Sequence, residues 1–221
     1  MQLINSPPVE KLNTIELAMQ KERLLRYMPA AGSSKSDAFK LYSWNCALGE
    51  AFYISLHFSE IVCRNAINRR LIQRLGDRWF ENPTFKSILA ERFKNELDGA
   101  IRDETARHGA GFTVHHIVSA MTFAFWQHLL TKRFERQLWS GGIQKAFPHA
   151  PNSVTRENLY LLVESVRRWR NRIAHHQAVF DKGPMKKHQE ALRLIMWACL
   201  DTGDWIASVS KVPVAISLRP A

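Results

Sequence analysis

The sequence predicts an all-α fold, a helical bundle in which about six main helices surround one long central helix. Three observations carry that expectation. Apolar residues recur at steps of three and four through most of the chain, the period of a helix that buries one face. The ten Gly and nine Pro fall almost wholly between those periodic segments, so they punctuate helices and do not build strand turns. No stretch alternates convincingly, although VPVAISL near the C-terminus has the composition of a short extended tail.

Taken in order, a first helix starts after Pro7-Pro8, carries Leu12, Ile15 and Met19, and ends at Leu24-Leu25 before Pro29 and the loop AAGSSKS. The second is the long one, running from a capping pair at Ser36-Asp37 to Gly76. Its Leu41, Trp44, Leu48, Phe52, Leu56, Cys63 and Ile67 make the apolar face of a helix at the centre of a bundle. A third helix, rich in alternating charge, runs from Thr84 to about Arg107 and closes at His108-Gly109. The fourth spans Thr113 or Val114 to Trp139, with Ile117, Met121, Phe125 and Leu129 one turn apart, and stops at Gly141-Gly142. After the rigid loop FPHAPNS, Ser153 or Thr155 caps a fifth helix that continues to about Phe180 on a core stripe of Leu159, Leu162, Val163, Val166 and Ile173. Asp181-Lys182-Gly183-Pro184 breaks it, and a sixth spans roughly Lys186 to Ser208. The organisation read from these segments is an N-terminal helical extension over 1–35, one domain over 36–210 and a tail over 211–221.

With 221 residues, 46% of them apolar, the chain can bury a sizeable core, which excludes disorder as its general state. Lys and Arg number 31 against 20 Asp and Glu, a formal charge of +11 that serves either solubility or a polyanionic partner. Cys46, Cys63 and Cys199 lie far apart with no metal-ligand spacing, and read as reduced core thiols of a cytoplasmic protein. The start MQLINSPPVEKL lacks the basic residues and apolar run of a secretion signal, and the longest purely apolar run, Leu194 to Leu200, is far short of the ~18 residues that span a bilayer. No membrane partner is expected.

Two helices hold the candidate chemistry. On the second, Tyr53, His57, Glu60, Arg64 and Asn68 follow one another at steps of three or four as a polar stripe. It is either a solvated face, where Glu60 and Arg64 form an i,i+4 ion pair worth about 0.2–0.5 kcal/mol, or a network facing a cleft or subunit interface, where Glu60 fixes the guanidinium of Arg64. On the fifth, Arg170 falls on the side of the core stripe and therefore needs a partner, because an unpaired buried guanidinium is too costly. Glu164, Arg168, Asn171 and His175 line another face. Arg170 and His175 point roughly 140° apart on an ideal helix, so a helix distortion, the length of the Arg side chain or a second protomer must bring them to one phosphate. Basic residues crowd both helices: Arg64, Arg69, Arg70, Arg74 and Arg78 fall in one fifteen-residue stretch at the end of the second with a single acid, Asp77, and Arg167, Arg168, Arg170 and Arg172 lie on the fifth, followed by Lys182, Lys186, Lys187 and His188. They are solvated faces or, if the two helices pack together, a salt-dependent surface for RNA phosphates. Adjacent pairs such as His115-His116 and His175-His176 diverge by about 100° and cannot chelate one ion unaided. No cofactor and no metal site is expected.

The segment RWRNRIAHHQ, residues 168–177, contains Arg170 and Asn171 followed by His175, which fits R-x4-H with Asn directly after Arg, the signature of HEPN ribonuclease domains. Its wording resembles the Abi-like (abortive infection) branch of that superfamily. Residues 41–67 resemble that branch's early long helix, where a Glu precedes an Arg-Asn pair by four residues, here Glu60, Arg64 and Asn65. FAFWQHLL, residues 123–130, is similar to its mid-chain aromatic helix. The resemblance covers most of residues 36–200. It implies a bundle that homodimerises and sets two R-x4-H motifs together in a metal-independent, RNA-cleaving site. It also implies a role in prokaryotic antiphage defence or as the toxin of a toxin–antitoxin pair, with an antitoxin protein or non-coding RNA as a further partner. On that reading Arg170 holds the scissile phosphate, His175 exchanges the proton, Asn171 orients His175 or the phosphate, and Glu60 orders Arg64 with Asn65 beside it. Arg69, Arg70, Arg168, Arg172 and His176 would contact RNA. Histidine, with its ordinary pKa of about 6.5, suits the proton transfer, and the donor fork of arginine suits the phosphate. The alternative from another class is a catalytically silent HEPN-type module that binds RNA or a partner in a defence complex.

Overall fold

A computed structural model describes residues 5–220, whose regular structure is all helical, with no strand among them. The axis of the bundle is α3, Lys35–Leu75. Ser34 starts it, its hydroxyl accepting the Asp37 N–H at 3.3 Å, and Gly76 ends it at φ 83°. Every residue of its expected apolar face, from Leu41 to Ile67, is buried. Packed against it are α7 (Phe123–His128), α8 (Arg156–Ala174), α9 (Pro184–Ala198), α10 (Leu200–Val209) and α11 (Val212–Ser217). In α8, capped by Thr155, the stripe Leu159, Leu162, Val163 and Val166 turns into the core and Ile173 is half-buried.

Several expected helices are broken where the sequence carries no Gly or Pro. The first divides at Gln20, φ 69°, into α1 (Leu12–Met19) and α2 (Lys21–Leu25). The third divides into α4 (Pro83–Ile88) and α5 (Glu91–His108), with Leu89 and Ala90 extended between them. The fourth divides into α6 (Val114–Ala120) and α7, because Thr122 caps α7 by accepting the Phe125 N–H while its own N–H goes to Glu96 at 2.8 Å, and it ends at His128 and not at Trp139, the chain continuing through turns and one short 3-10 segment. The sixth divides at Cys199, φ −160°, into α9 and α10. There α10 folds back so closely that a Cβ on Gly203 would lie 2.2 Å from Met196 Cγ. VPVAISL is not an extended tail but forms α11, its Pro213 in the first turn where the missing N–H costs no hydrogen bond. Trp44 on α3 anchors that helix, donating its indole N–H to the Ala215 carbonyl at 2.6 Å. Among the described residues no helix is long and apolar enough to cross a membrane. Cys63 is buried and Cys199 half-buried, but Cys46 is exposed on α3 and is not a core thiol.

The break at Ala90 rests on a buried histidine. The Ala90 N–H donates to Nε2 of His128, whose ring stacks on Phe93 with centroids 4.5 Å apart and meets Phe134 edge-on. Burial, reinforced by the nearby Arg133 charge, pulls the His128 pKa down from 6.5 to about 4, and burial lowers that of His188 as well. The fold therefore holds the neutral ring, and its contribution is fully present above the unfolded pKa. As pH falls from 6.5 towards 4 that contribution fades, by about 3 kcal/mol at most. Denaturant midpoints measured between pH 7 and 4.5 should fall steeply for the wild type and less for His128→Gln, which keeps an acceptor for Ala90 but cannot titrate. Parallel curves would refute the assignment.

Candidate functional site

Arg170 lies near the C-terminal end of α8, facing α3. The partner its position demands is Glu60. Arg170 Nε donates to Glu60 Oε2 at 3.1 Å and Nη2 donates to Oε1 at 3.3 Å, a two-pronged pairing across 110 positions of sequence. Nη1 donates to the Asn171 side-chain oxygen at 3.2 Å. Three of the five guanidinium N–H groups are thus committed, leaving one each on Nη1 and Nη2. The Arg170 side chain is 42% exposed and that of Glu60 19%, so the pair has a protected inner side and an open outer one.

This arrangement corrects the local pairing expected within α3. Glu60 orders Arg170 and not Arg64, because a carboxylate one turn away on the same helix offers weaker geometry than a fork arriving from the facing helix. The Arg64 Nε is buried without a partner, and Asn65 is half-buried beside it. Asn171 positions the guanidinium, since its oxygen is taken by Arg170, and its amide N–H groups stay available.

His175 is the residue at which α8 stops, exposed, with φ −93° and ψ 16°. The stop comes well before Phe180 because His176 turns left-handed at φ 55°. Its N–H reaches the Ile173 carbonyl at 3.0 Å, and the Gln177 N–H reaches that of Arg172 at 2.8 Å, the paired bonds of a Schellman ending. A histidine occupies the position glycine usually takes, so backbone strain sits directly beside His175. No hydrogen bond links Arg170 to His175 in this chain, among the described residues.

The polar stripe on α3 holds only in part. Tyr53 and His57 are exposed and stack with centroids 5.6 Å apart. Asn68 leaves the stripe for the interior, accepting the Trp79 indole N–H at 2.9 Å. Of the proposed RNA contacts, Arg69 and His176 are exposed, and Arg168 is exposed beside Glu164 at 3.1 Å. Arg172 is half-buried, one Nη donating to the Ala178 carbonyl at 3.3 Å. Arg70 is not an RNA contact. It is buried, donating to the carbonyls of Leu138 at 2.8 Å and Ser140 at 3.1 Å, which pins the loop after α7 to the end of α3. Arg74 makes a similar bond to Gln137, and His188 is buried edge-on to Phe52. At the end of α3, Arg70 and Arg74 are therefore tied to backbone carbonyls, while Arg69 and Arg78 stay exposed.

A hollow of about 590 Å³ opens beside His176 between α3 and the chain that follows α8, with Arg23, Tyr42 and Tyr53 on its walls. Arg23 carries no motif that singles it out; it reaches this hollow only because α2 folds onto α3, which itself carries Tyr42. Comparison with protein-family models, with curated proteins and with solved structures finds no match to this chain.

Proposed function

We propose that the protein is a metal-independent endoribonuclease of the Abi-like HEPN type, working in the prokaryotic cytoplasm in antiphage defence or as the toxin of a toxin–antitoxin pair. The observation that carries this reading is the Arg170 fork, held by Glu60 and Asn171 with two donors uncommitted, at the helix end that exposes His175. Such a fork suits the two non-bridging oxygens of a scissile phosphate. His175 accepts the proton of the ribose 2′-hydroxyl, whose oxygen attacks phosphorus. The bond from phosphorus to the 5′-oxygen breaks, and that oxygen takes up a proton. Products are a 2′,3′-cyclic phosphate and a 5′-hydroxyl, and DNA, which lacks the nucleophile, is not cut. Arg170 and His175 diverge along α8, so a homodimer supplies them to one phosphate from two chains. Antitoxin protein or RNA is the further partner of this reading.

The test is incubation of the full chain with single-stranded RNA in excess chelator, followed by mapping of the product ends. Cyclic phosphate and 5′-hydroxyl ends are expected, with no cleavage of the matching DNA; ends bearing a 5′-phosphate would exclude the mechanism. A second reading, a silent RNA- or partner-binding HEPN module, draws on the commitment of most Arg170 donors to Glu60 and Asn171. It predicts RNA retention without cleavage.

A further inference from the structure

Arg168 and Arg172 stand two residues either side of Arg170 and so face about 160° away from it around the axis of α8. On that opposite face a hollow of about 440 Å³ lies between α8 and the chain leading into α9, and Arg168, Arg172, Lys182 and Lys187 converge on it. The cations differ in their partners. Arg168 has Glu164 at 3.1 Å, Lys187 has Glu190 at 2.9 Å, and Lys182 has Asp181 at 3.5 Å. Arg172 forms no ion pair among the described residues, and its Nε is buried with no hydrogen-bond partner. Trp169, 2% exposed, lines the same hollow, and its indole N–H also lacks an acceptor. Buried donors in folded proteins are almost always paired. Here two such donors, on neighbouring residues that line a basic hollow, have no acceptor within the protein.

We propose that this hollow is a phosphate-binding site, with Arg172 as its anchor and Lys187 and Lys182 flanking it. A phosphate is the fitting occupant because the donors come from several directions. A tetrahedral, multiply charged group presents acceptors to all of them, whereas a planar carboxylate matches only the fork. The Ser165 hydroxyl, already bridging Lys187 and Glu190, holds the ammonium at the rim. The same chemistry is offered by free inorganic phosphate and by the phosphodiesters of an RNA strand. The site does not depend on cleavage at Arg170, since it occupies the other face of the helix.

Calorimetric titration of the full chain with inorganic phosphate, and separately with a single-stranded oligoribonucleotide lacking a terminal phosphate, tests the proposal. Arg172→Gln should weaken binding about tenfold or more, the scale of one charge-assisted hydrogen bond, and Lys187→Gln should weaken it several-fold. Arg102→Gln, an exposed cation on α5, should leave it unchanged. Loss confined to the phosphate titration assigns the site to a free phosphate, and loss confined to the oligonucleotide assigns it to an RNA backbone. If the wild type binds neither ligand, if both variants bind like the wild type, or if Arg102→Gln weakens binding as much as they do, the proposal is overturned. Lys187→Gln decides the matter should Arg172→Gln fail to fold.

Discussion

Trp79→Ala is expected to destabilise the fold by about 3–5 kcal/mol, the range for truncating a fully buried large aromatic. Trp79 is 0% exposed in the turn after α3 and meets Phe80, Phe85, Phe125 and Trp126, with ring centroids between 5.4 and 6.4 Å. It therefore joins the end of α3 to α4 and α7, and the space it leaves cannot close without moving all three. The substitution also strands the side-chain oxygen of Asn68, itself buried, which accepts the indole N–H. For a chain of this length each kcal/mol moves the melting temperature by about 2–4 °C, so a fall of roughly 6–20 °C is expected. Trp79→Phe separates the two contributions. It keeps most of the ring but strands the Asn68 oxygen, for about 1–3 kcal/mol. A Trp79→Ala protein that melts within a degree or two of the wild type would show that this cluster does not hold the bundle together.

The contrast between Asn68 and the rest of its helix shows what the sequence makes legible. The C-terminal end of α3 was readable because Gly76 takes a positive φ, whereas the capping serine is Ser34 and not the expected Ser36-Asp37 pair, since Ser34 alone is placed to accept the Asp37 N–H. Its buried face was readable because 3.6-residue periodicity is a property of the chain itself. The interruptions at Ala90 and Thr122 are different. They depend on His128 and Glu96 accepting the Ala90 and Thr122 N–H groups from elsewhere in the fold, and nothing in the adjacent residues announces them. Charged residues failed in the same way. Arg70 looks like its exposed neighbour Arg69, and only the return of residues 138–140 to the end of α3 makes it an interior residue. For Arg170 the sequence showed the need for a partner, since an arginine on a core stripe cannot stand alone. It could not show which carboxylate arrives, because Arg64, one turn from Glu60, offers the obvious local alternative. The residue types of the site were legible; the pairing, made between distant helices, was not.

His175→Ala and Arg170→Lys are each expected to cut the rate of RNA cleavage by two orders of magnitude or more, the range for removing a general acid–base group or a positioned donor at the reacting phosphate. His175 is exposed and forms no side-chain hydrogen bond among the described residues, so its loss should leave the melting curve unchanged. Arg170→Lys keeps the charge beside Glu60 but removes the fork, so a rate loss there reports geometry and not charge. Glu60→Gln should act through Arg170. Turnover falls about tenfold through lost positioning, while the pH profile of the residual activity, set by the proton-transferring group, keeps its shape. Mixing the two inactive proteins then tests the dimer. If Arg170 and His175 reach one phosphate from opposite chains, a heterodimer of His175→Ala with Arg170→Lys contains one complete site, and random reassortment restores roughly a quarter of wild-type activity. If both groups belong to one chain, every site in the mixture lacks one of them and nothing returns. Undiminished cleavage by the His175→Ala protein would end the ribonuclease reading whichever way the mixing experiment falls.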